Sequence, residues 1–258
     1  MTTTKSKTDT KRILLETCVD SIEGALAAQQ GGADRVELCG DLFEGGITPS
    51  PGTILVARQR LKIQLNVLIR PRGGDSCYSD AEFEVMKRDV EFAKGAGADG
   101  VVFGVLKEDG SVDVERTGAL VKLARPMSVT FHRIFDVTRD PFEALEAVIS
   151  LGVERILTSG QEASVLEGLD LLAQLVKRAG DRIIIMPGGG VTERNLPKIV
   201  AGTGAREFHA SCSTTLDGRM KHRNSRVFMG GALRTSEYGL RATDTRRVGT
   251  MAAILNPR

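Results

Sequence analysis

From residue 12 onward, short apolar runs alternate with longer amphipathic stretches. The runs are "RILLETCV", "RVELCG", "IQLNVLIR", "GVVFGVL", "SVTFHRI", "ERILTSG", "RIIIMPGGG" and "REFHAS", eight in all. Such runs read as β-strands. In "VELCGD", Val36 and Leu38 alternate with Glu37 and Cys39. Successive strand residues face opposite ways, so a carboxylate and a thiol share one face. "LETCVD" repeats the pattern with Glu16 and Cys18.

The stretches between the runs read as helices. Ser50 precedes Pro51, a good cap followed by a first-turn proline. Ser79 with Glu82 three residues on spells a capping box. Asp140-Pro141 opens another helix, and "EASVLEGLDLLAQLVKRAG" and "TERNLPKIVAG" follow. "GGADRVE", "GAGADGVV", "LGVERIL" and "GTGAREF" each join a glycine helix stop to the next strand. Alternating strand and helix implies a parallel sheet with right-handed crossovers. Eight units over this length favour an α/β fold closed as a (β/α)8 TIM barrel, a single domain over 12–258. An open doubly wound sheet is the competing architecture. The polar start, 1–11, is expected to be a disordered tail.

The rhythm breaks after "REFHAS". Residues 212–240 read as a long irregular loop carrying Arg219, Lys221, His222, Arg223 and Arg226. Loops of that kind are often functional. A solvated basic loop, a subunit interface and an anion-attracting lid all remain open for it.

Charge and composition narrow the function. The chain has 258 residues, 41% hydrophobic and 26% charged, with a formal net charge of +2. Near-neutral charge argues against nucleic acid as a partner, and aromatic residues are only 4%. No apolar run is long enough for a membrane span, and no signal peptide is visible. Cys18, Cys39, Cys77 and Cys212 lack CxxC spacing and are expected as free thiols in the cytoplasm.

In such barrels chemistry gathers at the C-terminal strand ends. Those ends offer Glu16, Cys18, Glu37, Cys39, Arg70, Arg72, Asp75, His132, Arg133, Asp136, Thr158, Ser159, Glu207, His209 and Ser211. The opposite ends hold little beyond an Arg or Lys at strand starts, among them Arg35. In "MPGGGV", Gly188, Gly189 and Gly190 allow close backbone approach, and their amides with Ser211 suit an anion. Arg70 and Arg72 can grip a carboxylate or phosphate, or neutralise Glu16 and Glu37. A Glu37–Arg70 contact is expected, with Glu16 in the same network. Glu16, Glu37, His132 and His209 are candidate acid–base groups or metal ligands. A Schiff-base aldolase is disfavoured, since only Lys107 lies near a strand end. Cys18 and Cys39 sit on neighbouring strands about 4.8 Å apart, within reach of one soft ion.

The motifs "VELCGDLFEGGITPSPG", "IRPRGGD", "VTFHRIFD", "IMPGGGVTERN" and "EFHAS" together resemble the copper homeostasis protein CutC family, in its animal form. The resemblance spans about residues 12–250. It implies a (β/α)8 barrel, a homo-oligomer (dimer or tetramer), and Cu(I) bound in intracellular copper homeostasis. The copper-binding cysteines it implies are Cys18 and Cys39; Cys77 and Cys212 match no cysteine of that pattern. An enzyme acting on a small phosphorylated or carboxylated metabolite is the second expectation, because Cu(I) has no use for an anion cradle.

Overall fold

The computed structural model describes residues 12–224, 226–227 and 239–257. The expected tail at 1–11 and part of the 212–240 stretch lie outside them. Eight parallel strands are present: β1 (Leu14–Val19), β2 (Arg35–Leu38), β3 (Gln64–Leu68), β4 (Gly100–Phe103), β5 (Ser128–Phe131), β6 (Arg155–Thr158), β7 (Ile184–Pro187) and β8 (Glu207–Ala210). They pair in the order β7-β6-β5-β4-β3-β2-β1-β8. Beyond β7, Gly188 brings the two outer strands together. A methyl group there would stand 2.4 Å from Leu157 and 3.1 Å from His209. The result is a nearly closed barrel.

Among the described residues, eight α-helices surround it: α1 (Ile22–Gly31), α2 (Pro51–Arg60), α3 (Asp80–Gly95), α4 (Val114–Ala124), α5 (Pro141–Ser150), α6 (Leu169–Ala179), α7 (Leu196–Thr203) and α8 (Thr245–Leu255). Ser50 caps α2, Asp140 caps α5, and Ser79 and Glu82 form the capping box of α3. Val36 and Leu38 are buried in one apolar core with helix residues such as Ala25, Ala28, Ile54 and Ala57. That core fills the layer between barrel and helices, as period-two patterning requires.

Two segments differ from the sequence reading. The helix expected from Glu162 begins only at Leu169. Gly168 packs so tightly that a methyl group would stand 1.9 Å from the Ser159 carbonyl oxygen. The chain before it is held in turns, and the Val165 amide donates to the Gly189 carbonyl (2.9 Å). The 212–240 stretch, expected to be irregular, starts and ends in an antiparallel pair, β9 (Ser213–Asp217) and β10 (Gly239–Thr243). No described helix is long and apolar enough to cross a membrane.

Candidate functional site

The inward positions of β1, β2 and β8 build a polar column inside the barrel. At its base, the Arg35 guanidinium donates to Glu16 Oε2 (2.5 Å) and to Glu207 Oε2 (2.5 Å). Arg155 also donates to Glu207 (3.0 Å) and to Ser128 (2.8 Å). Two arginines thus face two glutamates, and each buried charge has a partner of opposite sign. Unpaired, each would be costly. This corrects the expectation for Glu37 and Arg70. Arg70 donates instead to the carbonyls of Glu44, Gly46 and Gly74, pinning the loops after β2 and β3. The neutralising arginine is Arg35, at the start of β2, where its long side chain lies inside the barrel rather than at the far rim.

One level higher stand Cys18, Glu37 and His209. The strand register pairs Cys18 with Glu37, and Glu16 with His209. A Cys18 sulfur, a Glu37 oxygen and a His209 nitrogen all lie within 4.8 Å of one another. His209 Nδ1–H donates to Glu16 Oε1 (2.7 Å), because an ionised carboxylate only accepts. His209 Nε2 stands 3.7 Å from Glu37 Oε2. Burial opposes a charged imidazole, but Cys18, Glu16 and Glu37 outweigh it and raise His209 well above its usual range. Burial pushes the Glu37 carboxyl up to about 7, against the pull of His209. Glu16 goes the other way: Arg35 and His209 overcome its burial and hold it well below the carboxylate range.

Cys39 has a different setting. Its thiol packs with Leu68, Val102 and Leu42 beneath the turn at Gly46. Burial, then Glu37 and Cys18, raise its pKa well above normal. It stands outside the Cys18–Glu37–His209 group. All four cysteines are free thiols; Cys212 is buried, and Cys77 partly so.

Above this floor opens a cavity of about 600 Å³. Arg70, His132 and Arg133 line one part of it, and Gly189 to Thr192 with Ser211 another. A methyl group at Gly189 would stand 3.0 Å from the Arg133 guanidinium carbon. Arg133 is tied to Asp136 (2.9 Å) and Ser159 (2.8 Å). His132 Nδ1 accepts from the Ile134 amide (3.1 Å), and its buried Nε2 has no partner among the described residues. Burial, helped by Arg70, lowers His132 to about 3.

Arg72, grouped with Arg70 from sequence, does not line this cavity. It braces its own loop through Glu82 (2.6 Å) and the carbonyls of Asp75 and Cys77. Asp75 is bound to Arg72 and to the Cys77 amide. Gly188 serves strand packing, while Gly189 and Gly190 face the cavity. Sequence reasoning missed Arg241 and Arg247, which also line it. The basic residues named for the 212–240 stretch do not. The signal was indirect: only pairing of β9 with β10 brings Arg241 over the mouth, and no local pattern announces that pairing.

Known proteins bear on this architecture in three ways. Residues 13–214 match the model of the CutC family. A human protein named "Copper homeostasis protein cutC homolog" is 54% identical over 93% of this chain and 88% of its own length. A CutC family protein of Parabacteroides distasonis is 50% identical over 92% of this chain and 98% of its own length. A CutC crystal structure from Streptococcus agalactiae superposes with a TM-score of 0.74 at 34% identity, covering 77% of this chain and 98% of that one. Phosphoribosyl anthranilate isomerase of Thermotoga maritima shares the fold alone, at 12% identity and a TM-score of 0.57, covering 95% of this chain and all of that one. With the polar column, the strand-end cluster and these relatives in agreement, the chain belongs to the CutC family.

Proposed function

We propose that this chain takes up Cu(I) at the floor of the cavity, through the Cys18 thiolate and His209 Nε2, with Glu37 as a weak third donor. The observation that carries this is the convergence of these three donor atoms within 4.8 Å. A metal-binding histidine usually gives its other N–H to a carboxylate, which fixes the tautomer. Glu16 stands in that place behind His209. The names of the relatives supply the metal, and a thiolate–imidazole pair suits it. Cys39 is the expected partner from sequence, but its apolar setting makes loss of its proton costly, so here it is an outer neighbour. The test is a competition titration of reduced protein against a Cu(I) chelator. About one Cu(I) per chain is expected, greatly weakened in Cys18→Ser and little changed in Cys39→Ser. Parent-like affinity in Cys18→Ser would refute the assignment, and preference for Zn(II) over Cu(I) would refute the metal.

A second reading rests on the size and lining of the cavity. A volume of about 600 Å³ matches a small-molecule site and exceeds what one ion needs. A Glu37 carboxyl held near 7 beside His209 is an acid–base pair poised at neutral pH. On this reading the protein is an enzyme acting on a phosphorylated or carboxylated metabolite. A metabolite screen for turnover tests it: conversion lost in Glu37→Gln supports it, and conversion unaffected by that change refutes it.

A further inference from the structure

Two arginines on the cavity wall carry charge that no carboxylate among the described residues offsets. Arg133 is paired with Asp136, and Arg247 with Glu193 (2.6 and 2.9 Å). Arg70 donates to backbone carbonyls, and among the described residues no Asp or Glu forms an ion pair with it. Arg241, on β10, has no hydrogen-bond or ion-pair partner for its side chain among the described residues. Both line the cavity.

The loop after β7 supplies neutral donors on one side. Gly189 and Gly190 have φ of +105° and +77°, a left-handed path that favours glycine. Their carbonyls are used: Gly189 accepts from the Val165 amide (2.9 Å) and Gly190 from Asn195 Nδ2 (2.8 Å). Their amides, and that of Val191, have no acceptor among the described residues. A run of unsatisfied N–H groups curled by left-handed glycines is an anion-binding nest. The Ser211 hydroxyl, at the end of β8, also faces the cavity; among the described residues its side chain has one hydrogen-bond partner, Ser213 Oγ at 3.5 Å.

Arg70 follows β3, while the nest follows β7. In an eight-strand barrel of order β7-β6-β5-β4-β3-β2-β1-β8 these ends are four strands apart, on opposite sides of the mouth. We infer that the cavity binds a small doubly anionic metabolite, an organic phosphate that also bears a carboxylate. The phosphate sits on the Gly189–Val191 amides and Ser211 beside Arg241, and the carboxylate reaches Arg70. Several convergent amides suit the three free oxygens of a phosphate monoester, and a guanidinium suits a planar carboxylate. The middle of such a ligand then lies over Glu37 and His209. The inference deepens the enzyme reading and shares its cavity, but needs neither copper nor turnover.

Calorimetric titration of the metal-free full chain with orthophosphate and with 2-phosphoglycolate tests it. Both should bind, phosphoglycolate about tenfold tighter or more, because it alone reaches both ends. Arg241→Gln should weaken both ligands. Arg70→Lys should bring phosphoglycolate close to orthophosphate and leave orthophosphate unchanged. Should Arg70→Lys not fold, the parent's ratio between the two ligands and the Arg241→Gln result still decide. No binding of either anion at millimolar concentration, equal affinities for the two, or parent-like binding in Arg241→Gln would overturn the proposal. Binding without conversion in any screen would sink the enzyme reading alone.

Discussion

The strands β1 and β2 carry the same three-residue phrase, Glu-x-Cys, with opposite chemical results. On β1, Glu16 lies at the base, fully paired by Arg35, Asn66 and His209. Cys18 stands a level above it, on the cavity floor. On β2 the phrase is shifted upward by two residues. Cys18 pairs in register with Glu37, not with Cys39. Glu37 therefore takes the floor position that Cys18 holds on β1, and Cys39 rises into an apolar niche. The stagger that closes a barrel makes one motif serve two levels. A carboxylate thus comes to stand next to a thiol, instead of two thiols side by side.

The largest expected effect separates the two glutamates. Removing one member of a buried charge network leaves its partner uncompensated, at about 3–5 kcal/mol. Glu16→Gln should approach that loss of unfolding free energy, because Arg35 then keeps only Glu207 in a fully buried setting. Arg35→Met should do at least as much, because it leaves Glu16 with only His209 and Asn66 and Glu207 with only Arg155. Glu37→Gln removes a carboxylate that burial already destabilises, so stability at pH 8 should hold or rise. Urea denaturation of the three variants checks this. Equal losses for Glu16→Gln and Glu37→Gln would break the comparison.

What was legible in the sequence follows from the range of each physical signal. Alternation along one strand is local, so the inward side of Glu37 and Cys39 and the outward side of Val36 and Leu38 could be read directly. Helix caps at Ser50, Ser79 and Asp140 are equally local, and all three formed. Stagger between strands is set by closure of the whole barrel, so the pairing of Cys18 with Glu37 lay beyond any single motif. Arg70 shows the same limit. It sits beside the glutamates in strand order, but its side chain takes loop carbonyls that only the folded loops present. Arg35 was passed over because its place at a strand start hid how far a guanidinium reaches into a barrel.

A smaller effect separates the two thiols. Cys18 is partly exposed at the cavity, whereas Cys39 is buried and its proton is held well above the usual range. Only the thiolate reacts with alkylating agents. Cys39 should therefore be alkylated far more slowly than Cys18 in the native protein, and Cu(I) should protect Cys18 first. Mass spectrometry after brief iodoacetamide treatment reads both. Faster modification of Cys39 would place the reactive thiol on the wrong strand.

The contrast between paired and unpaired groups recurs in the two histidines of the cavity. His209 has carboxylates and a thiol around it and is raised; His132 has only burial and the Arg70 charge and is lowered to about 3. The sign for His132 follows from linkage. In the unfolded chain its imidazole takes a proton near 6.5, and in the folded protein only near 3. Between those values the unfolded state binds more protons. The contribution to stability is complete above pH 6.5 and is lost as the pH falls toward 3, at no more than about 1.4 kcal/mol per pH unit. His132→Asn keeps an acceptor for the Ile134 amide but cannot take up the proton. Its stability should decline less steeply than the parent's between pH 6.5 and 4.5, measured by urea denaturation at several pH values. Parallel curves for parent and variant would show that His132 is protonated in the folded barrel, and that its neighbours resemble those of His209 after all.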